Sequence, residues 1–263
     1  MRPRTALFAF LLILCGWAAL LAQKPFHEYP GEDRVPLPPD WRVEHEWVTA
    51  RLMYRDYGGR FGRGAWSIDY PGGDRNLIEG VRRLTRIDVR SVEQAVSLDD
   101  SGDVFYWPWL YAVEPGQWDI NEAEGKELRE YLNRGGFLMV DDFHGTQQWA
   151  NFEEGIRMAF PTEEIEDLPA DDPIFHMLSD VDLKVQIPGL AALYNGRTYE
   201  QSSDPFPRWR GIRDAKGRII VAICHNMDLG DAWEHSNEPG YPAEYAVAAH
   251  HVLQNYATYD LTH

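Results

Sequence analysis

The chain has 263 residues, a formal net charge of −17 at pH 7 and 44% hydrophobic residues. This length and composition are sufficient for one large domain that buries its own core. The excess of acidic side chains argues against nucleic acid or an anionic membrane surface as a partner, because like charges repel, and it is compatible with cations. Cys15 lies in an N-terminal apolar run, which leaves Cys224 without a partner for an internal disulfide.

Residues 1–22 have the pattern of a secretory signal peptide. Arg2 and Arg4 form a short basic start, residues 6–21 are apolar and uncharged, and Ala22 is a small residue suited to cleavage. The apolar run is slightly short for a membrane span, and no second span follows it. We therefore predict cleavage after Ala22 and a secreted or periplasmic protein without further membrane association. An uncleaved N-terminal membrane anchor is the alternative.

Residues 23–40 form a proline-rich leader rather than a domain. Prolines occupy positions 25, 30, 36, 38 and 39, and this density disfavours helices and central strands. From Trp41 onward the composition is that of a globular protein, and no internal repeat is visible. We predict a single domain over residues 41–263.

The spacing of apolar residues predicts strands and helices in alternation. Strands are predicted within 44–54 and over 87–92, 104–107, 137–140 and 219–223. Helices are predicted from an N-cap at Asp74 through Leu84 and over 122–133, 149–160 and 242–259. Because strands that alternate with helices form parallel sheets covered on both faces, we predict a doubly wound, mostly parallel α/β fold.

Polar side chains follow two of these predicted strands directly. The first set comprises Asp141, Asp142 and His144, and the second comprises His225, Asn226, Asp228, Asp231, Glu234 and His235. The carboxyl ends of parallel strands meet at one edge of a sheet, where ligands bind in open α/β folds. We therefore predict that both sets contribute to one polar site. Its expected ligand-binding residues are Asp142, His144, Asn226, Asp228, Asp231 and Glu234.

A divalent metal is the candidate cofactor of this site, because imidazoles and carboxylates are the ligands of zinc, manganese and iron. The candidate metal ligands are His144, His225, Asp228, Asp231 and His235. Asp231 and His235 are four residues apart and would share one face of a helix. Two structural alternatives stay open: Asp231 caps a helix, and His225 is a hydrogen-bonded core histidine.

Acid–base catalysis without a metal is a second interpretation of the same residues. Its candidate catalytic residues are Asp141, Asp142, His144 and His225, which could serve hydrolysis of a cell-envelope substrate. A thiol mechanism is disfavoured, because Cys224 lacks the flanking glycines of a nucleophile elbow and neighbouring strand residues face opposite ways. Cys224 is expected to be a small buried side chain.

Several short motifs give the chain a family resemblance. They are Asp69-Tyr70-Pro71 with Asp74, Arg83-Leu84-Thr85, and the segments 112–116, 128–132, 134–137, 141–145, 173–176, 186–189 and 225–234. In these motifs the chain resembles the bacterial domain-of-unknown-function family DUF4159. The resemblance implies a fold related to class I glutamine amidotransferases and flavodoxin. It implies no catalytic residues, and its partners would be cell-envelope proteins of MoxR-type ATPase and von Willebrand A-domain systems.

The function predicted from these observations is that of an exported α/β domain of the cell envelope that binds a small ligand or metal. A non-catalytic scaffold or a protein- or glycan-binding module is the first alternative, with Trp107, Trp109, Tyr111 and Trp118 as its aromatic contacts. Alternation along a strand would place Trp107 and Trp109 on the same side. A metal- or acid–base-dependent hydrolase is the second alternative.

Overall fold

The computed structural model describes residues 26–28, 35–56, 64–99 and 102–263. The predicted signal peptide and much of the predicted leader lie outside these residues. Within the described ranges, no helix combines the length and the apolar composition that a membrane crossing requires.

A seven-stranded sheet forms the centre of the domain. Its strands are β1 (Thr49–Met53), β2 (Gln94–Ser97), β3 (Trp109–Val113), β4 (Phe137–Asp141), β5 (Glu166–Asp167), β6 (Arg208–Arg213) and β7 (Ile219–His225). The strand order is β2-β1-β3-β4-β7-β6-β5. Strands β1 to β4 and β7 run parallel, whereas β6 is antiparallel to both of its neighbours. The predicted mixed α/β class with a mostly parallel sheet is confirmed.

Helices cover both faces of this sheet. They are α1 (Gly72–Leu84), α2 (Glu122–Asn133), α3 (Gly145–Ala159), α4 (Leu190–Tyr194), α5 (Leu229–Glu234) and α6 (Ala243–Thr262). Short 3-10 helices span Ala65–Ser67, Asp103–Tyr106, Pro115–Gln117 and Pro173–Phe175. The long helix α2 has the predicted bounds, because Asn121 accepts hydrogen bonds from the amides of Ala123 and Glu124 in a capping box.

Two hydrophobic cores lie on the two faces of the sheet, and alternation along β3 divides its side chains between them. Trp109 and Tyr111 pack in one core with Leu77 of α1 and Leu253 of α6. Leu110 packs in the other core, together with residues of α2 and α3. Both faces of the central strands are therefore buried, which explains why their sequences are almost continuously apolar.

Two strand predictions are wrong. Residues 104–107 lie largely in a 3-10 helix, and the strand begins at Trp109. Trp107 and Trp109 consequently enter different cores, because the turn and Pro108 interrupt the expected alternation. In 87–92 the regular strand is replaced by an isolated bridge between Val89 and Trp47, and β2 follows at Gln94.

Two helix starts also differ from prediction. Helix α1 begins at Gly72 with Pro71 as its N-cap, and Asp74 lies in the first turn instead of capping it. Asp74 pairs with the buried Arg51, which accounts for its position inside the protein. Helix α3 begins at Gly145, before the predicted start at Trp149.

Candidate metal centre

Strands β4 and β7 are parallel neighbours, so the chain leaves both at the same edge of the sheet. The loops that follow exchange backbone hydrogen bonds. The Asp142 amide donates to Met227 O over 2.9 Å, and the Asn226 amide donates to Phe143 O over 3.0 Å. Asn226 Oδ1 also accepts from the Gly145 amide at 2.7 Å. The structure thus brings the two predicted polar strand ends together.

The backbone at this edge is strained. Among the described residues, the non-glycine residues with positive φ are Asp69 (61°), Glu114 (47°), Asp142 (55°) and Asn226 (65°). Three of them directly follow β3, β4 and β7, and Asp69 precedes α1. A left-handed conformation costs an L-residue roughly 1–2 kcal/mol. Strain of this kind is concentrated at functional sites in proteins.

Three carboxylates converge at the edge. Asp69, Asp142 and Asp228 each offer an oxygen, and the three oxygens lie within 4.8 Å of one another. Asp142 and Asp228 are 7% and 4% exposed. Burial raises the pKa of all three well above the usual value, and the neighbouring carboxylates raise each pKa further. The cluster is therefore a buried group of carboxyls that would repel one another if all three were ionised.

Gly230 leaves the space between these oxygens open. A methyl group on its Cα would lie 2.4 Å from Asp69 Oδ2 and 3.5 Å from Asp228 Oδ1, and 3.1 Å from Tyr111 Oη. Asp69 Oδ2 is buried and has no hydrogen-bond partner in the described part of the chain. Buried carboxylate oxygens are normally satisfied, so a ligand at Asp69 would compete with the hydrogen bond between Asp69 and Glu234 that lowers the pKa of Glu234.

Arg51, the cation that lowers the pKa of Asp69, is already engaged. Arg51 is fully buried and donates to Asp74 from Nε over 3.2 Å and from Nη2 over 2.6 Å. Its Nη1 donates to the carbonyls of Trp66 and Ile68. The Arg51 charge lowers the pKa of Asp69, but not enough to offset burial and the charge of Asp231.

Asp141 binds the backbone next to the cluster. Its Oδ2 accepts from the amides of Leu229 at 2.6 Å and Gly230 at 3.3 Å, which fixes the start of α5. Burial raises the pKa of Asp141 to about 6. This predicted catalytic candidate therefore has a positioning role in the described geometry.

A second ligand group shares Asp142. His144 Nε2 lies 3.1 Å from Asp142 Oδ1 and 3.8 Å from Glu200 Oε2. Burial lowers the pKa of His144 to about 3, with His225 adding to the effect, so the imidazole is neutral at pH 7. Glu200 belongs to the connection between α4 and β6 and was not a candidate in the sequence, because no periodic pattern distinguishes that loop. In the sequence, Asp69 stands out only as part of the motif Asp69-Tyr70-Pro71.

His225 faces away from the carboxylates. Its ring packs against Phe143 and Trp149, with centroids 4.8 and 5.1 Å away. Its Nε2 lies 3.1 Å from Gly145 O, and burial lowers its pKa to about 4. Among the described residues, no group of converging metal-ligand atoms includes His225. Its environment is that of the hydrogen-bonded core histidine. Cys224 contacts Tyr256 Oη on the other face.

Asp231, Glu234 and His235 form a third, less buried group. His235 Nε2 lies 3.5 Å from Asp231 Oδ1, and its Nδ1 lies 2.9 Å from Glu238 Oε1. Partial burial lowers the pKa of His235, but these carboxylates raise it above its usual value overall. Asp231 Oδ2 accepts from the Leu190 amide at 2.6 Å, whereas Asp228, not Asp231, caps α5. This group is therefore held by its own ion pairs.

The remaining candidates have structural partners. Asn226 Nδ2 donates to Phe206 O, and Asn226 Oδ1 is bound to Gly145. The aromatic candidates for a binding surface are all buried, with exposures of 0–1%: Trp107, Trp109, Tyr111 and Trp118. Their packing inside the cores offers no surface for stacking on a partner.

Comparison with known proteins identifies the family but no characterised relative. None of the curated proteins compared with the chain matches it. The family profile for a domain of unknown function, DUF4159, matches residues 49–261. This match contains the whole sheet and all of the candidate ligand groups. The chain therefore belongs to the DUF4159 family, as its motifs predicted.

Proposed function

We propose that the Asp69–Asp142–Asp228 cluster binds one divalent cation, and that this is the core function of the domain. The observation that carries the proposal is the convergence of oxygens from three carboxylates within 4.8 Å of one another, with Asp69 and Asp228 facing the open side of Gly230. A set made only of carboxylate oxygens suits hard cations such as Mg²⁺, Mn²⁺ or Ca²⁺.

Charge supports the same conclusion. The carboxylates that most strongly raise the pKa of Asp142, after burial, are Asp228 and Glu114. Without a cation, the cluster relieves this repulsion by taking up protons. A divalent cation replaces those protons and offsets the free-energy cost of burying the ionised carboxylates. Cation affinity is therefore expected to increase as pH rises through the range in which the cluster loses its protons.

Mn²⁺ binding to the mature protein tests this proposal. Isothermal titration at pH 7.5, after treatment with a chelator, is expected to show saturable binding in the wild type. Asp142→Asn is expected to abolish it, because the cluster loses a charged ligand. Asp180→Asn, at an exposed carboxylate that pairs with His176, is the matched control and retains binding. Equal binding by both variants, or none in the wild type, would refute the proposal.

A glycine pair tests the location of the site without changing charge. Gly230→Ala places a methyl group against Asp69 Oδ2 and is expected to weaken Mn²⁺ binding at least about tenfold, equivalent to about 1.4 kcal/mol. Gly240→Ala is the control, because a methyl group on Gly240 meets no atom within 4 Å. Unchanged affinity in Gly230→Ala would place the cation elsewhere.

We propose that the domain is exported and works in the cell envelope. The order of basic, apolar and small residues in positions 1–22 supports export. The expected partners, by family resemblance, are envelope proteins of MoxR and von Willebrand A-type systems. Intact-mass measurement of protein from its native host is expected to give a chain that begins at Gln23. A membrane-bound chain that retains residues 1–22 would support the anchor instead.

Cation-dependent hydrolysis is a second candidate function, and Glu114 favours it. This half-buried carboxyl follows β3, and burial together with Glu200 raises its pKa to about 7, a value suited to acid–base catalysis. A cation at the cluster would lower the pKa of a bound water. A panel of phosphate-ester, carboxylic-ester and amide substrates with Mn²⁺ tests this candidate. This candidate is supported if Asp142→Asn abolishes turnover and Glu114→Gln removes one limb of the pH–rate profile. Absence of turnover with all three kinds of substrate would exclude their hydrolysis.

A further inference from the structure

We propose that a second divalent cation binds between Asp142, His144 and Glu200, and that Asp142 bridges the two ions. This inference rests on the proposed function, because Asp142 belongs to both ligand groups. It extends that function from a single cation site to a two-cation centre at the carboxyl ends of β4 and β7.

The spacing of the second group suits a metal ion. His144 Nε2 is 3.1 Å from Asp142 Oδ1 and 3.8 Å from Glu200 Oε2. Ligand atoms that are each about 2.0–2.2 Å from one ion lie roughly 3–4 Å from each other. An ion can therefore enter this group with small side-chain movements.

Hydrogen bonding within the group leaves Glu200 Oε2 without a bond to the imidazole. The imidazole Nε2 approaches Asp142 at hydrogen-bond distance, whereas Glu200 Oε2, at 3.8 Å, is beyond it.

The two groups are continuous in space. A methyl group on Gly189 would lie 2.4 Å from Asp228 Oδ2 and 3.0 Å from Glu200 Oε1, so one glycine faces a ligand from each group. Together the groups hold more carboxylates than one divalent ion neutralises. Bridged two-metal sites hold their ions roughly 3.5–4 Å apart, which a shared Asp142 carboxylate allows.

The ligand types differ between the two positions. The first position offers only oxygen, whereas the second adds an imidazole nitrogen. Mixed nitrogen and oxygen ligands favour Mn²⁺, Fe²⁺ or Zn²⁺ over Mg²⁺ and Ca²⁺. We therefore expect Ca²⁺ to fill the first position alone and Mn²⁺ to fill both.

Mn²⁺ titration followed by electron paramagnetic resonance tests the inference on the full mature chain. The wild type is expected to bind about two equivalents, with spin coupling between the ions. His144→Gln and Glu200→Gln are each expected to bind about one equivalent, without coupling. His176→Gln, at an exposed histidine, is the control and keeps both. Nitrogen modulation of the bound Mn²⁺ signal is expected in the wild type and absent in His144→Gln.

The outcomes separate this inference from the proposed function. A wild type that binds one equivalent, with no change in His144→Gln and Glu200→Gln, overturns the second position and leaves the first. A wild type that binds no Mn²⁺ overturns both. Circular dichroism and urea midpoints check that each variant is folded, and the loop variant Glu200→Gln provides a result even where His144→Gln fails to fold.

Discussion

Two neighbouring regions of the domain bury carboxylates in different ways. Around α1, Asp74 is paired with Arg51 at 2.6 Å, and the fully buried Glu93 is paired with Arg75 at 2.5 Å. At the carboxyl ends of β4 and β7, Asp142 and Asp228 are buried to a similar degree, and their strongest charged neighbours are other carboxylates.

The difference separates charges that serve the fold from charges that serve a ligand. A buried carboxylate that faces an arginine is neutralised within the chain, and removal of the partner is costly. A buried carboxylate that faces other carboxylates destabilises the folded state at neutral pH until protons or a cation compensate it. The chain tolerates this second arrangement at the strand ends, where α/β folds bind ligands.

The largest expected effect is on the region in which buried carboxylates pair with arginines. Arg51→Met leaves Asp74 buried without a counter-charge, and we expect it to lower the free energy of unfolding by roughly 3–5 kcal/mol. Urea denaturation at pH 7.5 measures this loss. Arg82→Met, which removes a partly exposed pair with Asp40, is the control and should cost less than about 1 kcal/mol. Equal costs would show that the buried pair of Arg51 and Asp74 stabilises the fold no more than a partly exposed pair.

Cation addition should stabilise the region in which the buried carboxylates face one another. Mn²⁺ at about one hundred times its dissociation constant is expected to raise the free energy of unfolding of the wild type by about 2.7 kcal/mol for each position that it fills. The same addition should leave Asp142→Asn unchanged and should stabilise Asp180→Asn as much as the wild type. A gain in all three proteins would indicate binding outside the cluster.

The pH dependence of Asp142→Asn should reveal the repulsion directly. Because the pKa of Asp142 is raised in the folded state, its carboxyl keeps its proton after the unfolded chain has lost it. The contribution of this carboxyl to wild-type stability is then full below about pH 4 and falls as pH rises towards the folded pKa. In chelator, we expect the variant to be more stable than the wild type at pH 8 and equally stable at pH 4. A variant that is less stable at pH 8 would contradict the account.

The smallest effect is expected at Cys224, which packs near Tyr256 away from the cluster. Cys224→Ala should lower the free energy of unfolding by about 1 kcal/mol, through lost packing in the core. Mn²⁺ affinity should stay the same in a parallel titration. Loss of binding in a folded Cys224→Ala protein would connect the thiol with the site.

The sequence was informative where local patterns determine structure. Helix α2 could be predicted to the residue, because Asn121 begins a capping box before a regular apolar spacing. The meeting of β4 and β7 followed from their apolar sequences and parallel direction. The direction of His225 depends on which core its strand position faces. That could not be predicted without the neighbouring rings of Phe143 and Trp149.

The missed residues lie where no local pattern exists. Asp69 and Glu200 reach the site from irregular segments, and tertiary contacts alone bring them to Asp142 and Asp228. The predicted strand 104–107 lies largely in the 3-10 helix Asp103–Tyr106, where Val104 is buried and Tyr106 is exposed, and a short apolar run alone does not separate a strand from a turn.

Anomalous diffraction from a crystal grown with Mn²⁺ at pH 7.5 would locate a cation in the aspartate cluster by direct observation. We expect an anomalous peak bounded by oxygens of Asp69, Asp142 and Asp228, each about 2.2 Å from the ion. A neighbouring peak at His144 and Glu200 would add the second ion, and its absence would not affect the first. No peak among the three aspartates, at a Mn²⁺ concentration that saturates binding in solution, would contradict the claim that this cluster is a cation site.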